Sequence, residues 1–394
     1  MTGFLFPNEG IIQWDLLIVL YPFITGLVAG AFIVSSLYHV FGITSLKPVA
    51  RFSLITALSF LIVTPLPLAI HLGRPERAFE MFRTPNLHSA MSMFGFIWFF
   101  YLLIVVGEVW LVFRPDIVKF YETSDGFKKT VYSILALGVY DVSEETLAVD
   151  HKIVKVLAFI GIPSAFLLHG YIGFIFGAVK ANPWWSTPLM PIIFLMSATV
   201  SGMALLILLY VIVSKIRKSP IDQACVHSLS LWLMGFLTIN VILEGLEVFS
   251  MFYESEESWQ IISQLITQKI WFSYIVVQFI SGAIVPLVVL AGTEALGLST
   301  NTRTAVRFVS AALVLIGVFA MRWNVVIGGQ LLSKSLRGFA SYTPPIWGID
   351  GIISASLFMA LPFVILAVLI NLIPPWQEEA RVSRRGPLRF GTRA

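Results

Sequence analysis

Charge is what this chain has least of. Only 12% of its 394 residues are Asp, Glu, Lys or Arg, against roughly 25% in a soluble domain. With 57% hydrophobic residues and a mean hydropathy of +0.87, that scarcity excludes a sizeable soluble domain and describes a polytopic membrane protein. Cysteine is almost missing too. The single Cys225 excludes a self-contained iron–sulfur cluster, a C-x-x-C-H haem attachment and an intrachain disulfide. The first apolar run lacks a basic leader and a small-residue cleavage site, so it reads as a retained helix. The net charge of +4 points to membrane topology and lipid contact, with no nucleic acid as partner.

What is present is long apolar runs. Nine segments are long enough to span a bilayer as helices: about 15–41, 50–73, 90–113, 153–179, 188–213, 228–253, 270–297, 305–329 and 350–373. The run Val131–Tyr140 is too short to cross and reads as interfacial or re-entrant. The expected fold is therefore an all-α bundle of about nine transmembrane helices. With the N-terminus outside, eighteen of the 26 lysines and arginines fall on the inner face and seven on the outer, which favours N-out and C-in. The histidines then argue against a membrane haem, which needs two imidazoles at matching depth. Among the six, His39 lies near an inner helix end, His71 and His88 at the outer face, and His151 and His227 in inner loops. Only His169 falls mid-span. No metal site is expected.

The stretch Pro163–Gly202 concentrates unusual chemistry. An apolar arm carries His169-Gly170-Tyr171-Ile172-Gly173, a loop holds Trp184 and Trp185 between Asn182-Pro183 and Thr187-Pro188, and a second apolar arm follows. Tryptophan favours the membrane–water boundary, and proline breaks helical geometry before it. Glycines beside a polar ring pair let something other than lipid approach the backbone. The topology puts this loop on the same outer face as His71-Leu72-Gly73-Arg74-Pro75.

These elements carry a resemblance. The Leu72–Pro75 run with Phe79 following, the Tyr171-Ile172-Gly173 element and the run from Trp185 to Gly202 resemble the NrfD/PsrC family, the membrane subunit of polysulphide-reductase-type respiratory complexes. Arg322-Trp323-Asn324 through Gln330 is similar to the longer DsrP/HmeB-type members, which points to sulphur-compound metabolism. The resemblance implies a quinone (menaquinone or ubiquinone) bound near the outer surface as an exchangeable substrate. It also implies a ferredoxin-like iron–sulfur subunit docked on the outer face within a larger complex, no haem or iron–sulfur cluster in the chain itself, and a place in the inner (cytoplasmic) membrane. Many relatives have an aspartate immediately before the LGRP element, where this chain has His71, so no carboxylate role carries over there. The organisation expected is a five-helix quinone-interacting core at 1–215, a four-helix membrane extension at 216–376 and a basic cytoplasmic tail at 377–394.

A quinone needs a hydrogen-bond donor at each carbonyl, a proton source and an apolar channel. Tyr171 and His169 lie about 12–15 Å below the outer surface at about 1.5 Å per residue, and Tyr21 lies at similar depth on the first helix. His71 and Arg74 would close over them, with Gly26 and Gly30 leaving room beside the helix. A second signal is charge inside spans, where ionisable groups are costly. Glu244 and Glu247 share one helix face and match Arg322 in depth, suggesting a buried ion pair or a proton relay. Arg77 and Arg83, with Trp184 and Trp185 as apolar anchors, are the expected docking surface. A secondary transporter is the alternative reading; it would explain Thr64-Pro65-Leu66-Pro67 and the buried charges. It calls for similar hydropathy in the two halves of the chain, which this sequence does not show.

Overall fold

Hydrocarbon offers backbone N–H and C=O groups no partner but each other, so apolar runs of this length close into helices. A computed structural model describes residues 5–6, 11–86, 88–253 and 258–376. Nine helices among them are long and apolar enough to cross a membrane. They are α1 (Leu16–His39), α2 (Thr44–His71), α3 (Ala90–Thr123), α4 (Glu144–Gly177), α5 (Met190–Ile216), α6 (Gln223–Tyr253), α7 (Phe272–Ala295), α8 (Thr300–Leu331) and α9 (Ile352–Leu372). The expected all-α polytopic architecture holds. The expected basic tail lies outside the described residues.

Between α3 and α4 the chain forms a helix of 11 residues, Gly126–Ala136, about 17 Å long and too short to cross. Trp110 donates to the Leu135 carbonyl at 2.9 Å and Tyr132 to the Leu372 carbonyl at 2.9 Å, so it lies beside the C-terminal end of α9. α2 is interrupted at Thr64, where Pro65 and Pro67 remove two N–H donors; the Thr64 hydroxyl bonds the Phe60 carbonyl at 3.1 Å.

α1 is apolar around its whole circumference, and such a helix belongs in the interior. It is buried along its length and packs against α2, α4, α5 and α8. Its closest contact is with α5. A Cβ on Gly30 would stand 2.6 Å from the Ala198 carbonyl oxygen and 2.6 Å from the Gly202 Cα, and a Cβ on Gly202 would run into the Gly30 backbone. This corrects the expectation that Gly26 and Gly30 leave space for a ligand: α5 fills the space at Gly30, and the His169 ring lies against Gly26. Gly173 works the same way, with the Met190 carbonyl 2.6 Å from where its Cβ would be. The small residues serve helix contact.

Two ion pairs close the other end of the bundle. Arg51 of α2 pairs with Asp116 of α3, and Arg114 of α3 pairs with Asp150 of α4. All four residues are buried, so these charges tie helix ends together.

Gly30→Ala tests the glycine contact. The clashing atoms are backbone and cannot rotate away, so overpacking costs about 1–3 kcal/mol, more than the roughly 1 kcal/mol that alanine gains in helix propensity. The detergent-solubilised variant should melt at a lower temperature than the parent. An unchanged or higher melting temperature would show that α1 and α5 are not in backbone contact here.

Candidate functional site

The polar groups at the N-terminal end of α1 are arranged by its first turn. Asp15 caps the helix, accepting from the Leu17 amide at 2.7 Å. Its other carboxylate oxygen faces Nδ1 of His71, at the end of α2, at 2.9 Å. A carboxylate can only accept, so His71 donates from Nδ1 and keeps Nε2 free. Asp350, in the loop before α9, also hydrogen-bonds Asp15. One ligand atom from each of the three residues lies within 4.8 Å of the others. Burial pushes the Asp15 carboxyl up, but the hydrogen bonds from His71, Asp350 and the Leu17 amide together hold it below the usual range. The hydrogen bond to Asp15, with burial adding to it, raises Asp350.

About 9 Å further along α1, six residues on, is Tyr21, 3% exposed. Its hydroxyl is buried and has no hydrogen-bond partner among the described residues. Its ring meets Phe94 of α3 edge-on at 5.3 Å, and Tyr171 of α4 is near enough for the two hydroxyls to interact electrostatically. The structure thus brings Tyr21 of α1 near Tyr171 of α4, and sets His71 of α2 against Asp15 at the N-terminal end of α1. Sequence reasoning missed Asp15 and Asp350. An aspartate directly before an apolar run is a helix-start signal, which could have marked Asp15.

His169 is not part of this group. Residues two apart on a helix point about 200° apart, so His169 and Tyr171 face different ways. His169 is fully buried, and its Nε2 accepts from Arg322 Nη2 at 3.1 Å while Nδ1 has no partner. Arg322 also donates to the Ser197 hydroxyl at 2.6 Å and the Phe194 carbonyl at 3.3 Å, and its guanidinium lies 4.0 Å from the centre of the Phe194 ring.

The expected Glu244–Arg322 pair does not form; no salt bridge joins them among the described residues. Their depth matches, but Arg322 turns toward α4 and α5. Glu244 is instead held by Asn240 at 2.7 Å and Gln278 at 2.8 Å, and Gln278 in turn accepts from Asn324 at 2.8 Å. Glu247 reaches the Thr187 side chain and leaves Oε1 buried without a partner. Glu244, Glu247, Gln278 and Asn324 line, with Trp184 and Tyr274, a cavity of about 30 Å³.

Trp184 and Trp185 are also corrected. They are 7% and 5% exposed and cannot serve as docking anchors. α8 takes one wide π turn at Asn324–Gly328, and the two indoles donate to the carbonyls of Asn324 (2.9 Å) and Val325 (2.6 Å). Trp185 lies where a side chain on Gly329 would project, and stacks on Trp14 at 5.1 Å. Gln330 exchanges hydrogen bonds with both backbone groups of Trp14, at 2.8 and 2.9 Å. Arg74, Arg77 and Arg83 are exposed, and Arg77 sits 3.9 Å from Glu80.

Comparison with known proteins agrees with this architecture. Residues 6–333 match the family model described as polysulphide reductase, NrfD. A selenate reductase subunit of Mesobacillus selenatarsenatis is 27% identical, over 94% of this chain and 88% of its own length. The Hdr-like menaquinol oxidoreductase integral membrane subunit of Archaeoglobus fulgidus is 24% identical over 92% of this chain and 86% of its own. A putative dimethyl sulfoxide reductase membrane subunit of Halobacterium salinarum is 27% identical over 59% of this chain and 51% of its own. The family match runs through all but the last of the nine spanning helices, and the chain belongs to the NrfD family of polysulphide reductase membrane proteins.

Proposed function

We propose that this chain is the membrane subunit of a respiratory oxidoreductase complex, passing electrons between the quinone pool and an iron–sulfur partner subunit. The relatives are named for selenate, dimethyl sulfoxide and menaquinol. The named substrates differ while the membrane subunit is shared, so the terminal substrate belongs to the partner subunits. The observation that carries the reading is the buried, unpartnered hydroxyl of Tyr21, next to Tyr171 and one step below the Asp15–His71 pair. A buried donor left unpaired costs about 1–3 kcal/mol, which a ligand carbonyl would recover. A bound quinone supplies a two-electron, two-proton couple. Tyr21 and Tyr171 offer donors to its carbonyls, while His71, oriented by Asp15, takes or gives a proton at Nε2.

Tyr21→Phe removes one hydroxyl and keeps the ring against Phe94. Quinone-dependent electron transfer in membranes should fall about tenfold, the effect of one hydrogen bond of about 1.4 kcal/mol, with insertion unchanged. Parental kinetics and quinone affinity in this variant would remove Tyr21 from the site.

The same reading sets the orientation. The 18-to-7 charge bias supports an α1 N-terminus and a Tyr21 region on the outer side of the inner membrane. The exposed Arg77 and Arg83 then face an iron–sulfur subunit on that side, without help from the buried tryptophans. Reversing both to glutamate should release the partner while the membrane subunit stays folded, and added salt should weaken docking of the parent complex. Cross-links from the iron–sulfur subunit confined to the opposite face, near Lys119 or Lys215, would contradict both docking and orientation.

A further inference from the structure

The opposite end of the bundle holds a cavity of about 510 Å³ between α1, α2, α3 and α4. Its polar wall is basic, carrying Lys47, Arg51 and Lys155 beside the imidazoles of His39 and His151. Two carboxylates share the wall, but both are committed: Asp116 to Arg51 and Asp150 to Arg114. Lys47 and Lys155 are exposed and form no ion pair among the described residues. Inside the wall, Nε of Arg51 and Nε2 of His39 are buried without hydrogen-bond partners. Arg51 itself is only 9% exposed. His151 spends Nδ1 on the Leu147 carbonyl at 2.7 Å and keeps Nε2 available. The cavity therefore gathers positive charge and unspent donors, which is the chemistry of a phosphate monoanion or diester.

Its other wall says where that phosphate comes from. Leu111, Val112, Leu147 and Val154 line it, and on the same turns of α4 Val149, Ile153 and Val156 are exposed. Exposed apolar residues on a spanning helix face acyl chains. The cavity also sits at the ends of spans: His39 is the last residue of α1, and Lys47 is the first residue of α2's α-helical stretch. That is headgroup depth, on the face that collects the larger share of lysine and arginine.

We infer that this cavity binds the phosphate headgroup of an anionic membrane phospholipid, with Lys47, Arg51 and Lys155 as its cationic contacts and the acyl chains laid along α4. Neither the quinone nor the iron–sulfur partner enters this inference.

The test is native mass spectrometry of the purified full-length chain with its associated subunits, titrated with phosphatidylglycerol or phosphatidylcholine. One phosphatidylglycerol should be retained saturably in preference to phosphatidylcholine. The variant Lys47→Gln/Lys155→Gln changes two exposed side chains and should keep the fold, checked by its melting temperature in detergent. Its phosphatidylglycerol affinity should be about thirtyfold weaker, the loss expected for two basic residues at a membrane surface. Equal retention of the two lipids, or equal affinity in parent and variant, would overturn the site. A second arm separates the sources: short-chain phosphatidylglycerol should raise the melting temperature more than inorganic phosphate does. Equal stabilisation by inorganic phosphate would overturn the lipid assignment.

Discussion

A guanidinium held in the middle of a membrane bundle must have its donors met by protein, because hydrocarbon meets none of them. Arg322 is 0% exposed; Nη2 meets His169 from α4 and Ser197 with the Phe194 carbonyl from α5, the Phe194 ring lies against the guanidinium, Nη1 meets the Met321 sulfur, and Nε is buried without a partner among the described residues. Removing any of them would strand a buried charge, so the position of α8 against α4 and α5 is tightly specified. Directly after Arg322 the helix widens into its π turn, and the carbonyls of Asn324 and Val325 take the indole N–H groups of Trp184 and Trp185. One charged residue and one wide turn thus lock the tryptophan loop over the end of α8.

That lock reaches the proposed quinone region through Gln330. Its side-chain amide clasps the backbone of Trp14, the residue before Asp15. Asp15 then caps α1 and orients His71. A motif in the second half of the chain therefore sets the geometry of a site built mainly from the first half. His71 therefore receives its carboxylate from the neighbouring helix.

Much of the fold is legible because the bilayer imposes length and apolarity on every span, and both can be read from composition alone. Depth is legible for the same reason: a fixed rise per residue sets Tyr21 level with Tyr171, and Glu244 level with Arg322. The direction each side chain takes around its helix is not legible. That is why sequence reasoning groups His169 with Tyr171, and why it pairs Glu244 with Arg322 when its partners are Asn240 and Gln278. Trp184 and Trp185 read as interfacial because tryptophan favours that boundary. Their burial depends on carbonyls freed 140 residues later in the chain. Asp350 carries no local signal; only tertiary contact brings it to Asp15.

The proposed function requires a quinone in contact with Tyr21, Tyr171 and His71. A photoactivatable azido-quinone, cross-linked to the intact complex in membranes and mapped by peptide mass spectrometry, tests it most directly. Label should appear on the peptides carrying Tyr21, His71 and Tyr171, and excess native quinone should suppress it. Competable label confined to the Glu244–Trp184 cavity, or to the basic cavity at the other end of the bundle, would contradict it.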